Sequence, residues 1–279
     1  MNYFDYIEYH ISHRDQLHNK IHIHNDSYEI LQVVKGDGTF LIGETPYPLV
    51  PGAVYLTKSV QLHCSHANEN CNYVRSKLAI NAAYLEMVLD TLELSSYINT
   101  LFESKTGQYI PLPAKTAELV DGHFKKMYED YQEKTPTANA KLTMTLLNIL
   151  LICKSVTADT ETKNEQISNP LISRAIKYIN LNISSELTID MIAKEVFVSK
   201  HYLCRCFKKN LGISIMKYIL NQRLTLAKEQ LINSNNKCSD IAMSTGFPSF
   251  SYFCRVFKED EGISPTAYRE IHGKQNKKR

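Results

Sequence analysis

Arg205 and Arg255 stand fifty residues apart in two nearly matching stretches, "SKHYLCRCFKKNLGIS" at 199–214 and "SFSYFCRVFKEDEGIS" at 249–264. A guanidinium is a flat, permanently charged fork of donors. It fits planar pairs of acceptors: a carboxylate, a phosphate, or O6 and N7 of guanine. Around the two forks lie Lys200, Lys208, Lys209 and Lys258, which suit phosphates. His201 and Cys204 share a helical face with Arg205, and Ser251 shares one with Arg255. This is the chemistry of gripping a polyanion and reading base edges, and it is written twice. At an offset of fifty, ten of the twenty positions from Ser199 to Tyr218 recur unchanged, Tyr202/Tyr252, Cys204/Cys254 and Phe207/Phe257 among them. Repetition of that fidelity implies a duplicated structural unit.

The elements that must hold these side chains are legible from caps and stripes. Ser199 and Ser249 suit helix N-caps, and Gly212 and Gly262 sit where a helix end needs a positive φ. Leu203, Cys206 and Phe207, matched by Phe253, Val256 and Phe257, recur at helical spacing as a buried stripe. That turns His201, Cys204, Arg205 and Lys208 outward, together with Phe250 at the start of the second helix and Ser251, Cys254, Arg255 and Lys258 beyond it. A shorter helix precedes each cap, "TIDMIAKEV" and "CSDIAMST", so each unit reads as a helix-turn-helix. The second turn carries one extra residue and Gly246. From Ser214 to about Leu231 there is neither Gly nor Pro, which predicts one connecting helix roughly 27 Å long. That is close to the ~34 Å between successive major-groove faces of DNA. "SPTAYREIH" after Gly262 predicts a short closing helix with Pro265 in its first turn.

Charge divides the chain in the same place. Residues 1–164 hold fourteen Lys and Arg against nineteen Asp and Glu, and residues 165–279 hold eighteen against ten. The balance swings from −5 to +8, the signature of a basic module facing a polyanion beside a mildly acidic one. The polar stretch "TADTETKNEQISN", 157–169, reads as the linker. Expected domains are therefore 1–160 and 168–279.

Residues 168–279 resemble the AraC/XylS family of bacterial transcription regulators. The resemblance rests on "IA" before each turn, S-x-x-Y-L-x-R-x-F-K followed by GIS, and GF-x-x-x-S-Y-F-x-R-x-F-K followed by GISP-x-x-YR. It implies an all-α domain of seven helices with two helix-turn-helix units on a long helix, bound to double-stranded promoter DNA. By their place at the starts and outer faces of the second helices, the residues expected against DNA are Ser199, Lys200, His201, Cys204, Arg205, Lys208 and Lys209, then Ser249, Phe250, Ser251, Arg255 and Lys258. Cys204 stands where family members often carry a polar or large residue.

The first half has another texture. Residues 22–63 alternate β-branched and aromatic side chains between the turn signals "KGDG", "GETP" and "VPGA", which predicts a small antiparallel barrel or sandwich over about 1–80. Three helical patterns follow within 82–158: "AAYLEMVLDTL", "TAELVDGHFKKMYEDYQEK" and "ANAKLTMTLLNILLICKSV". The last carries a stripe (Leu142, Leu146, Ile149, Leu150, Cys153) expected to pack on the barrel and, through Leu146 and Ile149, on a second copy. The barrel stretch resembles the cupin-like ligand domain of many AraC-type regulators, so the whole chain reads as α+β. His22-x-His24-x4-Glu29-x6-Gly36 matches the first half of a metal-cupin motif, with His63 a further candidate ligand. Such a set could hold iron, manganese or zinc, and the chain would then be a metal-dependent cupin enzyme fused to a DNA reader. The second half of that motif is poor. The favoured expectation is no metal and no cofactor, with His22, His24, Glu29, Tyr47 and His63 lining a pocket for a small-molecule effector. A sugar leads by analogy; Tyr28, Tyr47 and Tyr55 would suit stacking on it, although tyrosines in small barrels are more often core. His63, Cys64, His66 and Cys71 are too irregular in spacing for a zinc site.

The 43% hydrophobic and 22% charged composition is that of a soluble globular protein. No signal-like N-terminus or membrane-length apolar run stands out, and seven cysteines without framework spacing fit reduced thiols. The expectation is a cytoplasmic, non-enzymatic homodimer, with RNA polymerase a further candidate partner. Cys204 and Cys254 as redox switches are a lesser reading beside plain neutral thiols.

Overall fold

The computed structural model describes residues 3–12, 27–43, 45–58, 61, 63–68, 71–103, 108–133, 135, 137–159 and 169–273. The chain divides into two compact units, Met1–Asn169 and Pro170–Arg279.

In the first unit the three turn signals fall between strands as expected. β1 (Phe4–Ser12) precedes β2 (Ser27–Lys35), β3 (Gly38–Ile42), β4 (Thr45–Leu49), β5 (Ala53–Thr57), β6 (His63–Ala67) and β7 (Val74–Asn81). With β8 (Tyr109–Pro111) they form two antiparallel sheets, β1-β7-β2-β5-β8 and β4-β3-β6. Strand side chains alternate between faces, and β2 shows what that does here. Leu31 and Val33 join Phe40, Ile42, Tyr47, Tyr55 and Tyr73 in one core. Ile30, with Val54, Leu56, Leu78 and Ile80, belongs to another, shared with the helices that cover the larger sheet.

Among the described residues those helices number four, not three: α1 (Ala82–Thr91), α2 (Ser95–Glu103), α3 (Ala114–Glu133) and α4 (Ala138–Asp159). α1 stops because Glu93 takes a left-handed φ of 57°. The nine residues of α2, "SSYINTLFE", lack the length and the Gly or Pro boundaries that would announce a helix. One expectation fails at this level. Leu146 and Ile149 are 0% exposed and lie inside the unit's own core, so they cannot face a second copy. The large apolar side chains α4 turns outward are Met144 and Leu151, 68% and 39% exposed. Tyr28, on the helix-facing side of β2, meets Phe102 edge-on at 4.7 Å and hydrogen-bonds Glu86 at 3.2 Å, so it does not line the barrel. Residues 138–158 of α4 are long and apolar enough to cross a membrane by length and composition alone. In this fold their stripe, Leu142 to Cys153, packs within the domain.

The second unit has the seven helices that the resemblance implies: α5 (Pro170–Leu181), α6 (Ile189–Glu195), α7 (Lys200–Leu211), α8 (Ile215–Asn233), α9 (Cys238–Ser244), α10 (Phe250–Glu261) and α11 (Pro265–His272). Ser199, Ser214, Ser249 and Ser264 each cap a helix by accepting a backbone N–H three residues on. Gly212 and Gly262 end α7 and α10 at φ 71° and 77°. Phe207 and Phe257 are fully buried, each contributing about 1.5–3 kcal/mol by removal from water. They meet Tyr218 and Tyr268 edge-on at 5.6 and 5.3 Å, so the same packing unit recurs at both ends of α8. Cys206 is only half-buried, so Leu203, Phe207 and Leu211 carry the first stripe.

Candidate nucleic-acid interface and effector site

The exposed face of α7 presents His201, Arg205, Lys208 and Lys209, and that of α10 presents Phe250, Ser251, Arg255 and Lys258. Each arginine lies over the ring of the tyrosine one turn earlier. The Arg205 guanidinium is 5.5 Å from the Tyr202 centroid, and that of Arg255 is 5.2 Å from Tyr252. Cation–π stacking of this kind limits the rotamers of a long side chain and points the fork outward. The signal was available, since Tyr recurs three residues before Arg in both copies. Ser199 and Ser249 are engaged as caps, accepting from Tyr202 and Tyr252 N–H at 3.3 and 3.2 Å. Lys200 is drawn back to α6 by Asp190 at 2.7 Å, and that hydrogen bond raises its pKa. Cys204 and Cys254 are half-buried. Burial raises the pKa of Cys254, which disfavours the thiolate that redox chemistry needs.

The two faces differ in charge. α7 carries four cations and no acid, whereas α10 ends in Glu259, Asp260 and Glu261. Glu259 pairs with Arg255 at 3.2 Å, and Asp260 pairs with Lys228 of α8 at 2.9 Å. Glu261 also pairs with Lys228.

Inside the barrel, Glu29 and His63 are brought together from different sheets. Their side chains are 3% and 1% exposed, with His63 Nε2 3.5 Å from Glu29 Oε1. The His63 Nδ1 proton goes to the Gln61 carbonyl at 2.8 Å, which aims Nε2 at the carboxylate. Two partners were not foreseen. Tyr6 donates its hydroxyl to Glu29 Oε2, and Lys77 Nζ lies 3.6 Å from that same oxygen and 4.4 Å from the Tyr6 ring centroid. Burial, then the Glu29 charge, pushes the Tyr6 phenol far above its usual range, so it remains a donor. Thr57 stands directly across the β2–β5 ladder from Glu29, and its buried hydroxyl has no hydrogen-bond partner among the described residues. Tyr6 and Lys77 fit no short motif, because only the β1–β7–β2 pairing places them beside Glu29.

Tyr47 belongs to an aromatic layer with Tyr109, 5.5 Å away, and Tyr55 gives its hydroxyl to the Pro48 carbonyl at 2.5 Å. His22 and His24 lie outside the described residues. Among the described residues no three His, Cys, Asp or Glu side chains gather as metal ligands. His63 and Cys64 are neighbours on one strand, so they turn to opposite faces of the sheet.

A sheet domain with a buried polar cluster, joined to a duplicated helix-turn-helix, defines a ligand-responsive transcription regulator. The AraC-like ligand binding domain profile matches residues 6–147, just over half of the chain, and a helix-turn-helix domain profile matches 192–271. The chain belongs to the AraC family. It is similar to the uncharacterized HTH-type transcriptional regulator YfiF of Bacillus subtilis, with 25% identity over 87% of this chain and 76% of that protein. The lactose operon transcription activator of Staphylococcus xylosus is 24% identical over 88% of this chain and 84% of its own length. Among solved structures, the C-terminal domain of AraT, a response regulator from Geobacillus stearothermophilus, is 31% identical. It covers 40% of this chain and 93% of its own, with a TM-score of 0.39.

Proposed function

We propose that this regulator is a cytoplasmic, non-enzymatic dimer that binds promoter DNA through α7 and α10 in successive major grooves and takes a small polar effector inside its barrel. On DNA, Arg205 and Arg255 read guanine edges, with His201, Cys204, Phe250 and Ser251 beside them. Lys208, Lys209 and Lys258 hold phosphates, as do Lys200 and the helix starts at Ser199 and Ser249. The arrangement of two tyrosine-stacked arginines on capped, exposed helices supports this most directly.

For the effector, the supporting observation is the Thr57 hydroxyl, buried without a partner among the described residues beside the Glu29–His63–Lys77 group. Buried donors and acceptors are normally paired. A ligand rich in hydroxyls would supply a partner to Thr57 while sharing Glu29 and Lys77. A carbohydrate fits that demand, and the lactose operon relative points the same way. The dimer would use the outward side of α4, where Met144 and Leu151 are exposed; RNA polymerase is a further partner of this reading.

Thermal-shift measurement on the full chain against a panel of sugars tests the effector. A bound sugar at a hundredfold excess over its Kd should stabilise the protein by about 2.7 kcal/mol. Thr57→Val should weaken that response and leave the unliganded melt near wild type. No shift with any sugar, or an undiminished shift in Thr57→Val, would remove the carbohydrate reading.

A further inference from the structure

The two turns between paired helices are built alike. Val198 N–H bonds to Ala193 O at 3.1 Å after α6, and Phe247 N–H bonds to Ala242 O at 3.0 Å after α9. The residue before each is left-handed, Phe197 at φ 59° and Gly246 at φ 86°. Their surroundings are opposite. Phe197 is 87% exposed, so its side chain has open space. A Cβ on Gly246 would lie 2.4 Å from the Ile183 carbonyl oxygen, 2.9 Å from Arg223 Nε and 3.0 Å from Ser184 Cα. Only a glycine lets this turn touch that backbone.

The backbone it touches belongs to the other half of the unit. Ile183–Ser185 is the loop between α5 and α6, on the side of the first reader. Arg223, in the middle of α8, donates from Nε to Ile183 O at 2.9 Å and from Nη2 to Ser185 O at 2.7 Å. α8 on its own holds each reader at one end, through Tyr218 toward α7 and through Leu224, Ala227 and Leu231 toward α9 to α11. Two bodies packed at opposite ends of one helix can still rotate about it. A third contact, away from the helix axis, removes that freedom.

We propose that Arg223 and Gly246 form a latch between the two halves, fixing the separation of α7 and α10 and hence the half-site spacing that the protein accepts. In this role both are positioning residues. The inference rests on the reading that α7 and α10 both contact DNA.

The test is in vitro selection from a random DNA library with the full chain, followed by sequencing. Wild type should return two half-site motifs at a single spacing. Arg223→Ala removes two hydrogen bonds, and Gly246→Ala wedges the turn apart. Each should return the same two motifs spread over several adjacent spacings, with roughly tenfold weaker binding to the wild-type site. Phe197→Gly, the matching change in the other turn, should leave the single spacing unchanged. Arg223→Lys keeps the charge and cannot reach both carbonyls, so it carries the test if Arg223→Ala does not fold. Folded latch variants that select one unchanged spacing overturn the latch. A wild-type selection yielding only one half-site motif overturns the two-reader reading beneath it.

Discussion

Arg205 and Lys208 are one turn apart on the same exposed face of α7, yet the two charges are expected to do different work. Arg205, aimed by Tyr202, is expected at a base edge. Arg205→Ala should cost about 1–3 kcal/mol and relax preference at one operator position. Lys208→Ala should weaken binding to all sequences alike and lower the salt slope by about one contact. Arg255→Ala should repeat the Arg205 result about one turn of DNA away. Binding-site selection with the three variants decides it; if both arginine variants alter the same base pair, the assignment is wrong. A second residue-scale expectation concerns Tyr47, whose phenol burial pushes to about 12, against an ordinary 10. Below pH 10 the folded and unfolded chains both hold this proton, so its full contribution is present. Between pH 10 and 12 only the unfolded chain releases it. Stability should therefore fall through that window, by up to about 1.4 kcal/mol per pH unit. Melts of the full chain at pH 9, 10 and 11, followed by phenolate absorbance, should show the buried tyrosines ionising only as the fold is lost. Their ionisation in the still-folded protein would contradict this.

Helix α4 shows what a sequence stripe can and cannot say. Leu142, Leu146, Ile149, Leu150 and Cys153 announced a buried face, and that face is buried. What buries it depends on which sheet lies beneath, and the larger sheet with α1 to α3 already uses it fully. The expected consequences now separate. Leu146→Lys puts an unpaired charge into the core and should destabilise by several kcal/mol or prevent folding. Met144→Lys with Leu151→Lys should leave the melt near wild type and convert a dimer to monomers in sedimentation. A dimer that survives the double substitution places the interface elsewhere. The helices of the second unit were legible almost to the residue, because Ser caps and Gly ends state their own boundaries. In the barrel, hairpin turns were legible and the polar site was only half so. Glu29 and His63 could be picked out by type, but Tyr6 and Lys77 are 23 and 48 residues from Glu29 and meet it only through strand pairing.

Over the whole molecule the basic unit sets how binding responds to salt. Each neutralised phosphate adds about 0.9 to the slope of log affinity against log salt. Lys208→Ala with Lys209→Ala on the full chain should therefore lower the slope by nearly two. Lys258→Ala should lower it by less than one, since Glu259 already offsets charge on α10. Equal losses per lysine from the two helices would mean that the acid run beside Lys258 turns away from DNA. The unequal charges of α7 and α10 also bear on how the protein finds its operator. On random DNA, α7 is expected to supply a foothold that does not depend on sequence. α10, nearly neutral once Lys228 and its two acids are counted, gains little until the bases match. If both helices contact DNA as proposed, such a molecule would scan with one foot planted and the other testing each step, stopping only where the second also finds its letters.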